Sequence, residues 1–284
     1  MSGEAKQLGV TDHSRDSAGL TYVYPVVSRR AGGVSVGINL NPNNACNWRC
    51  IYCQVPGLKR GTAPPIDLAL LERELRGFID TLLHGDFMRK HVPGDARRIV
   101  DIAFSGNGEP TSAREFPDAV ELVGRVLRDT SLDGKVKIRV ITNGSLLGRK
   151  RVQKGLQQLG ELGGEAWFKV DAGSTEGYRR INGVEISPES VARNLHRCAQ
   201  LCPTWVQTCL FALDGASPGD EEVQAYLDVL ERAGCANLSG VHLYGLARPS
   251  LQPEAERLSS LPQDTLEAIA VRIRALGLAV NVSV

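Results

Sequence analysis

The chain has 284 residues, of which 42% are hydrophobic and 23% charged, with a formal net charge of +1; this suits an ordinary globular protein the length of one α/β barrel. Near-zero net charge excludes a global field for nucleic acid, and no run approaches the roughly 18 apolar residues that would span a membrane. With no apolar signal-peptide core near Met1, a cytoplasmic location is expected, and the seven cysteines read as reduced thiols and metal ligands rather than disulfides.

In chain order, residues 1–18 are polar, lack periodicity and are expected to fray. Residues 20–27 predict a peripheral strand interrupted by Pro25, and residues 29–33 a loop, so 1–34 form an N-terminal extension ahead of a core over 35–284. The first buried strand falls at 35–40 and runs directly into a loop carrying Cys46, Cys50 and Cys53. Apolar residues then recur at helical spacing over 66–88. Strands at 98–104, 136–141, 166–170, 205–213 and 241–246 alternate with helices at 116–127, 149–162, 188–201, 219–233 and 262–276, and residues 278–284 close with a last strand. Such alternation implies a parallel sheet with right-handed crossovers. Six units suit a partial (β/α)6 barrel of the TIM type; periodicity leaves an open doubly wound sheet as the alternative. In either fold, ligands gather at the carboxyl ends of the strands.

The cysteines are the most informative feature. Three residues and then two separate Cys46, Cys50 and Cys53, which suits three thiolates at three corners of one iron–sulfur cube, with one iron left open. Clusters that only carry electrons usually take four cysteines, whereas a metal site one protein ligand short can bind a substrate, as open zinc sites do. The same positions also follow the i, i+4, i+7 rhythm of a buried helical stripe. Turn formers on both sides (Asn41, Pro42, Asn43 and Asn44 before, Pro56 and Gly57 after) argue for a loop instead.

This spacing, with Tyr52 directly before the last cysteine, resembles the radical S-adenosylmethionine (radical SAM) superfamily. The resemblance implies that Cys46, Cys50 and Cys53 hold a [4Fe-4S] cluster. It also implies that S-adenosyl-L-methionine is chelated to the open iron and reductively cleaved to a hydrogen-abstracting 5′-deoxyadenosyl radical, and that the Tyr52 backbone meets the adenine. A loop after the second strand holds Gly106, Asn107, Gly108 and Glu109. Glycines there let backbone amides approach a ligand, although a tight turn is the plainer account. Beside the cysteines, the loop is similar to the family's glycine-glycine-glutamate element, which binds the amino group of S-adenosylmethionine. Gly106, Gly108 and Glu109 carry that role over, with Asn107 as a further contact.

Other strand ends are polar too. Asn143 and Asp171 suit hydrogen bonds to a nucleoside, Asp171 to its ribose hydroxyls, or else a turn and a helix cap. Lys169, a charge inside a strand, needs a partner or a function. The options are a carboxylate clamp, a proton donor, a Schiff base or a plain ion pair. His242 is a candidate to face the barrel and move a proton, or to be hydrogen-bonded within it.

The segments 105–111, 141–144, 169–173 and 178–182 resemble in particular the branch that contains the tRNA wyosine synthases, over about residues 35–185, and 243–249 is similar in kind. That branch's upstream second-cluster cysteines are missing, since no cysteine precedes Cys46. Only Lys6 precedes the motif where a pyruvate-holding lysine is expected, so the tRNA reaction is not carried over. Arg179, Arg180 and Arg248 sit where the resemblance places the substrate and are expected to meet an anionic group. Trp48 or Tyr244 could stack on a nucleotide.

Cys198, Cys202, Cys209 and Cys235 read as isolated core thiols, with a second cluster as the alternative. The resulting expectation is a radical SAM enzyme acting on a small molecule, with a flavodoxin or ferredoxin as electron donor and no membrane partner. An RNA nucleobase or a backbone glycine of a partner enzyme are the other substrates considered. A non-catalytic iron–sulfur or zinc protein, with His196 or Cys209 as a fourth ligand, is the reading of another class.

Overall fold

A computed structural model describes residues 19–28, 32–246 and 248–283. The expected fraying of residues 1–18, Lys6 and the part of the predicted loop at 29–31 lie outside the described residues. Among those described, eight strands form one sheet in chain order: β1 (Val23–Ser28), β2 (Gly33–Asn39), β3 (Ile99–Ser105), β4 (Lys137–Thr142), β5 (Glu165–Lys169), β6 (Thr204–Cys209), β7 (Gly240–Tyr244) and β8 (Val280–Ser283). β1 is antiparallel to β2, and every other pairing is parallel. Pro25 stands on β1, at the sheet edge, where a missing N–H costs least.

Parallel neighbours need long crossovers, and helices supply them. α1 (Leu68–His84) and α2 (Phe87–His91) join β2 to β3, α3 (Phe116–Asp129) joins β3 to β4, and α4 (Lys150–Glu161) joins β4 to β5. α5 (Thr175–Asn182) and α6 (Pro188–Leu201) lie between β5 and β6, α7 (Asp220–Ala233) between β6 and β7, and α8 (Gln263–Ala275) between β7 and β8. The helices α1, α3, α4, α6, α7 and α8 pack each against the next. A doubly wound sheet would divide them between two faces, so the side-by-side ring is that of a partial barrel.

The strand residues alternate accordingly. Val34, Val36, Ile38, Ile102, Phe104, Val140, Phe168, Val206, Val241 and Leu243 are buried in one apolar cluster with the helices. Their neighbours Ser35, Asp101, Ser105, Arg139, Trp167, Lys169, Gln207 and Tyr244 line a chamber on the opposite face. The predicted strand at 205–213 ends at Cys209, and Ala212–Leu213 pairs instead with Leu258–Ser259. The predicted helix at 66–88 breaks at Gly85, where a Cβ would lie 2.7 Å from Thr81 O. The short α5 is not predicted by periodicity; it is set by its caps, Ser174 accepting from Gly177 N–H and Gly183 in the left-handed region at φ 63°.

Candidate active site

The loop after β2 is built from its asparagines. Asn39 Oδ1 accepts from the N–H groups of Asn41 and Asn107, each at 3.0 Å, and Asn41 Nδ2 donates to Ala45 O at 2.9 Å. Ala45–Cys46 pairs with Lys59–Arg60, closing the base of the loop. Within it Cys53 N–H donates to Cys50 O at 3.0 Å. No helix forms over residues 46–53, so the buried-stripe alternative is overturned.

Two remote segments clamp this loop. Ser250 Oγ donates to Ile51 O at 2.7 Å, while Leu251 N–H and Gln252 Nε2 donate to Cys53 O at 3.0 and 3.1 Å. Arg49 and Glu254 form two parallel bonds of 2.9 and 3.0 Å, the bidentate geometry that fixes both partners. On the other side, the N–H groups of Arg49 and Ile51 donate to Asn182 O and Ile181 O at 2.9 and 2.8 Å, at the end of α5.

The chamber has a volume of about 500 Å³, and Cys46, Cys50 and Cys53 line it together with Tyr52, Glu109, Asn143, Lys169 and Arg248. Gly106 and Gly108 lie beside the cysteine loop itself. A Cβ on Gly106 would come within 2.5 Å of Asn39 Oδ1, and one on Gly108 within 2.7 Å of Asn41 Cγ and against Ala45 O. Their small size therefore lets the β3 loop close on the cysteine loop, besides whatever ligand they meet.

Glu109 is buried and carries four donors. Thr111 N–H, Thr111 Oγ1 and Thr142 Oγ1 donate to Oε1 at 3.1, 2.6 and 2.6 Å, and Asn143 N–H donates to Oε2 at 2.7 Å. Burial still pushes its carboxyl above the ordinary range, against the pull of these bonds. Asn143 donates through Nδ2 to Asn47 Oδ1 at 2.9 Å and accepts from Ser145. Asn107 Nδ2 donates to Asn44 Oδ1 at 2.6 Å. The ends of β3 and β4 and the cysteine loop thus form one hydrogen-bonded rim.

Asp171 departs from expectation. Its side chain is wholly buried and does not line the chamber. Oδ2 accepts from Tyr52 OH at 2.5 Å and Asn182 Nδ2 at 2.9 Å and faces Lys169 Nζ at 3.6 Å, while Oδ1 accepts from Cys209 N–H at 3.2 Å. Three hydrogen bonds and an ion pair thus hold a carboxylate that lies outside the chamber lining, so Asp171 is not placed where the expected contact to ribose hydroxyls needs it. Lys169 lies over the Tyr52 ring, 4.9 Å from its centroid, and donates to Tyr244 OH at 3.3 Å. Burial works to lower its ammonium, but Asp171 and Tyr244 outweigh it and the net shift is upward. A Schiff-base lysine needs the reverse; Lys169 is a held cation.

Other expectations are corrected by burial or its lack. Arg179 and Arg180 are exposed on α5, outside the chamber, and Arg179 pairs with Glu176 at 2.7 Å. Arg248 alone of the three expected arginines lines the chamber, its Nη1 donating to Gln54 Oε1 at 3.3 Å. His242 is not itself in the chamber lining; it stacks on Trp205 at 4.5 Å, sits 4.7 Å from Trp167, which is, and has Asn281 Nδ2 3.3 Å from its Nδ1, which fits the alternative of a histidine hydrogen-bonded within the barrel. Trp48 is buried edge-on against Tyr178 at 6.1 Å, which anchors the loop, and it lines the chamber together with Tyr244. Cys198 and Cys202 belong to the apolar core, whereas Cys209 lines the chamber.

Periodicity does not single out the polar layer further down the barrel. Arg139 pairs with Asp101, and with Glu165 at 2.6 Å, while Ser35 donates to Asp101 and the guanidinium lies 5.0 Å from the Trp167 ring centroid. A polar residue at every second position of a predicted buried strand is the available signal.

The donor set suits a multi-iron group. Among the described residues, no three His, Cys, Asp or Glu side chains converge around a single-ion position, while Cys46, Cys50 and Cys53, thiols of one loop, line one chamber, and thiolates are the ligands that hold iron–sulfur clusters. Burial pushes Cys46 up to about 11 and Cys50 up to about 12, so these thiols need a cationic partner to ionise, which a bound metal centre supplies. No helix among the described residues is long and apolar enough to cross a membrane.

Comparison with known proteins gives a match to the family model of the Radical SAM superfamily over residues 40–230. The chain is 30% identical over 159 residues to a UPF0026 protein of Helicobacter pylori (strain ATCC 700392 / 26695); the overlap covers 56% of this chain and 44% of that relative, less than half its length. Its fold is similar to that of a radical SAM methyltransferase from Sphaerobacter thermophilus (TM-score 0.57, 14% identity, 92% of this chain and 68% of that one). It is also similar to TYW1 with a lysine-pyruvate adduct bound (TM-score 0.53, 17% identity, 86% and 74%). At these identities the two structures speak to the fold alone.

Proposed function

The chain belongs to the radical SAM superfamily, and from that premise we propose an enzyme that takes a hydrogen atom from a small polar substrate with an anionic end. The observation that carries the reading is that Cys46, Cys50 and Cys53 line the same chamber as Lys169 and Arg248. In this reading Cys46, Cys50 and Cys53 hold a [4Fe-4S] cluster, and the rim of Gly106, Asn107, Gly108, Glu109 and Asn143, with the Tyr52 backbone, receives S-adenosyl-L-methionine. Bound there, the cluster would supply the one-electron reduction of S-adenosylmethionine from which hydrogen-atom abstraction follows.

The protein's own contribution is to bind and to exclude. Lys169, fixed by Asp171 and Tyr244, and Arg248, beside Gln54, are the cations offered to a carboxylate or phosphate. The chamber walls keep out water and competing hydrogen donors. A flavodoxin or ferredoxin is the electron donor, and the catalytic barrel runs from β2, which begins at Gly33 just ahead of the expected boundary at 35, with β1 of the N-terminal extension added to its edge.

The test is anaerobic reconstitution, reduction with dithionite, and measurement of 5′-deoxyadenosine released from S-adenosylmethionine by wild type and Cys50→Ala. Release that depends on Cys50 is expected, and a small-molecule extract in deuterated form should pass deuterium to the product. Arg248→Ala should then weaken that transfer; equal transfer by the variant removes Arg248 from the substrate site.

A further inference from the structure

Asn182 stands between a cysteine sulfur and a carboxylate. It is the last residue of α5, its side chain is completely buried, and Nδ2 lies 3.2 Å from Cys50 Sγ and 2.9 Å from Asp171 Oδ2. An amide nitrogen has two hydrogens, so one serves each acceptor. The main chain fixes this position. Arg49 N–H donates to Asn182 O at 2.9 Å and Ile51 N–H to Ile181 O at 2.8 Å, lacing α5 to both chain neighbours of Cys50. Gly183 ends the helix there in the left-handed region, with room for a Cβ only 3.0 Å from Arg49 O.

The amide's orientation follows from charge. Turned over, Oδ1 would face the Asp171 carboxylate and the sulfur; as it lies, Oδ1 is buried with no hydrogen-bond partner. Leaving a buried acceptor unmade is costly. A leucine of similar volume would leave no such orphan, so what distinguishes asparagine here is the donor pair on Nδ2. Asp171 and Lys169 are the charged residues next to this arrangement, and the amide is interposed between the carboxylate and the sulfur.

We propose that Asn182 is a positioning residue that raises the reduction potential of the cluster by donating an N–H to the Cys50 thiolate. The inference rests on the reading that Cys50 is a cluster ligand. Hydrogen bonds to cluster sulfurs are among the protein's levers on potential: a donor stabilises negative charge on the sulfur, and reduction adds negative charge. Asn182 therefore eases delivery of the electron without touching substrate.

The test is a redox titration of the reconstituted full chain, followed by electron paramagnetic resonance without S-adenosylmethionine, with iron and sulfide counted in every sample. Wild type is compared with Asn182→Leu, which keeps bulk and removes the donor, and with Asn182→Ser, which is too short to reach the sulfur. Both variants should hold wild-type iron and sulfide. At fixed potential their reduced-to-oxidised ratio should fall roughly tenfold, a midpoint lower by about 59 mV for a one-electron couple. An unchanged midpoint in either loaded variant overturns the proposal. Loss of iron from both variants overturns it too, leaving Asn182 as a brace for the loop. Failure of the underlying reading is distinguishable: wild type would take up no cluster, or Cys50→Ala would take up as much as wild type.

Discussion

Phe168 and Lys169 are neighbours on β5 and face opposite sides of the same sheet. Phe168 is buried among the helices in the apolar cluster, while Lys169 looks into a chamber shared with Asp101, Arg139 and Gln207. The outer face is packed as any α/β core is packed. The inner face, which a typical barrel of this kind fills with branched apolar side chains, here holds ion pairs and space. Folding stability and chemistry are thus assigned to alternate residues of single strands.

Truncation on the outer face should break this division most severely. Phe168→Ala removes a fully buried ring that also packs under Gly144, and a loss of about 3–5 kcal/mol is expected in anaerobic denaturant unfolding; a loss below about 1 kcal/mol would mean the outer face is not the stabilising one. Next comes Arg139→Met, which strands Asp101 and Glu165 in the interior and should cost about 3 kcal/mol. Replacing all three together (Asp101→Leu, Arg139→Met, Glu165→Leu) should return stability to within about 1 kcal/mol of wild type while removing this ion-pair layer and leaving Lys169 and Arg248 in the chamber. If the triple variant is as unstable as the single one, the inner ion pairs are structural.

The smallest effect is in pH dependence. Burial, outweighing Arg139 and Ser35, lifts the Asp101 carboxyl above its ordinary 3.8. Because the folded value exceeds the unfolded one, the stability this group confers is full below about pH 4 and is lost as pH rises through the folded value. Unfolding free energy should therefore fall with rising pH in that window, by at most about 1.4 kcal/mol per unit, and Asp101→Asn should flatten the slope. An identical slope in the variant would assign it to another group.

Much of the fold is legible because helical periodicity and strand runs alternate without interruption from β2 onward, and turn formers on both sides mark the cysteine loop. What escapes has physical causes. α5 spans eight residues, about two turns, too few for a periodic signal, and it carries Asn182 as well as Arg179 and Arg180, which face away from the chamber. Proximity to a strand end does not say which side of a short helix faces the chamber, so in sequence Arg248 and the α5 arginines look alike. Asp171 reads as open because its partners, Tyr52, Asn182 and Cys209, come from three distant segments. Lys169 stands out as a strand charge in want of a partner, yet Asp101, Arg139 and Gln207 pose the same question at the same spacing.

The clamp on the cysteine loop has a consequence for biosynthesis. Ser250 lies 199 residues beyond Ile51, whose carbonyl it holds, so on the ribosome the three thiols emerge roughly 10–40 s before their latch, at about 5–20 residues per second. During that interval they belong to an unfinished chain, open to oxidation and to stray metal ions. On the proposed reading, a cluster held by these thiols would gain its finished seat only after Ser250 has been made, long after the thiols themselves.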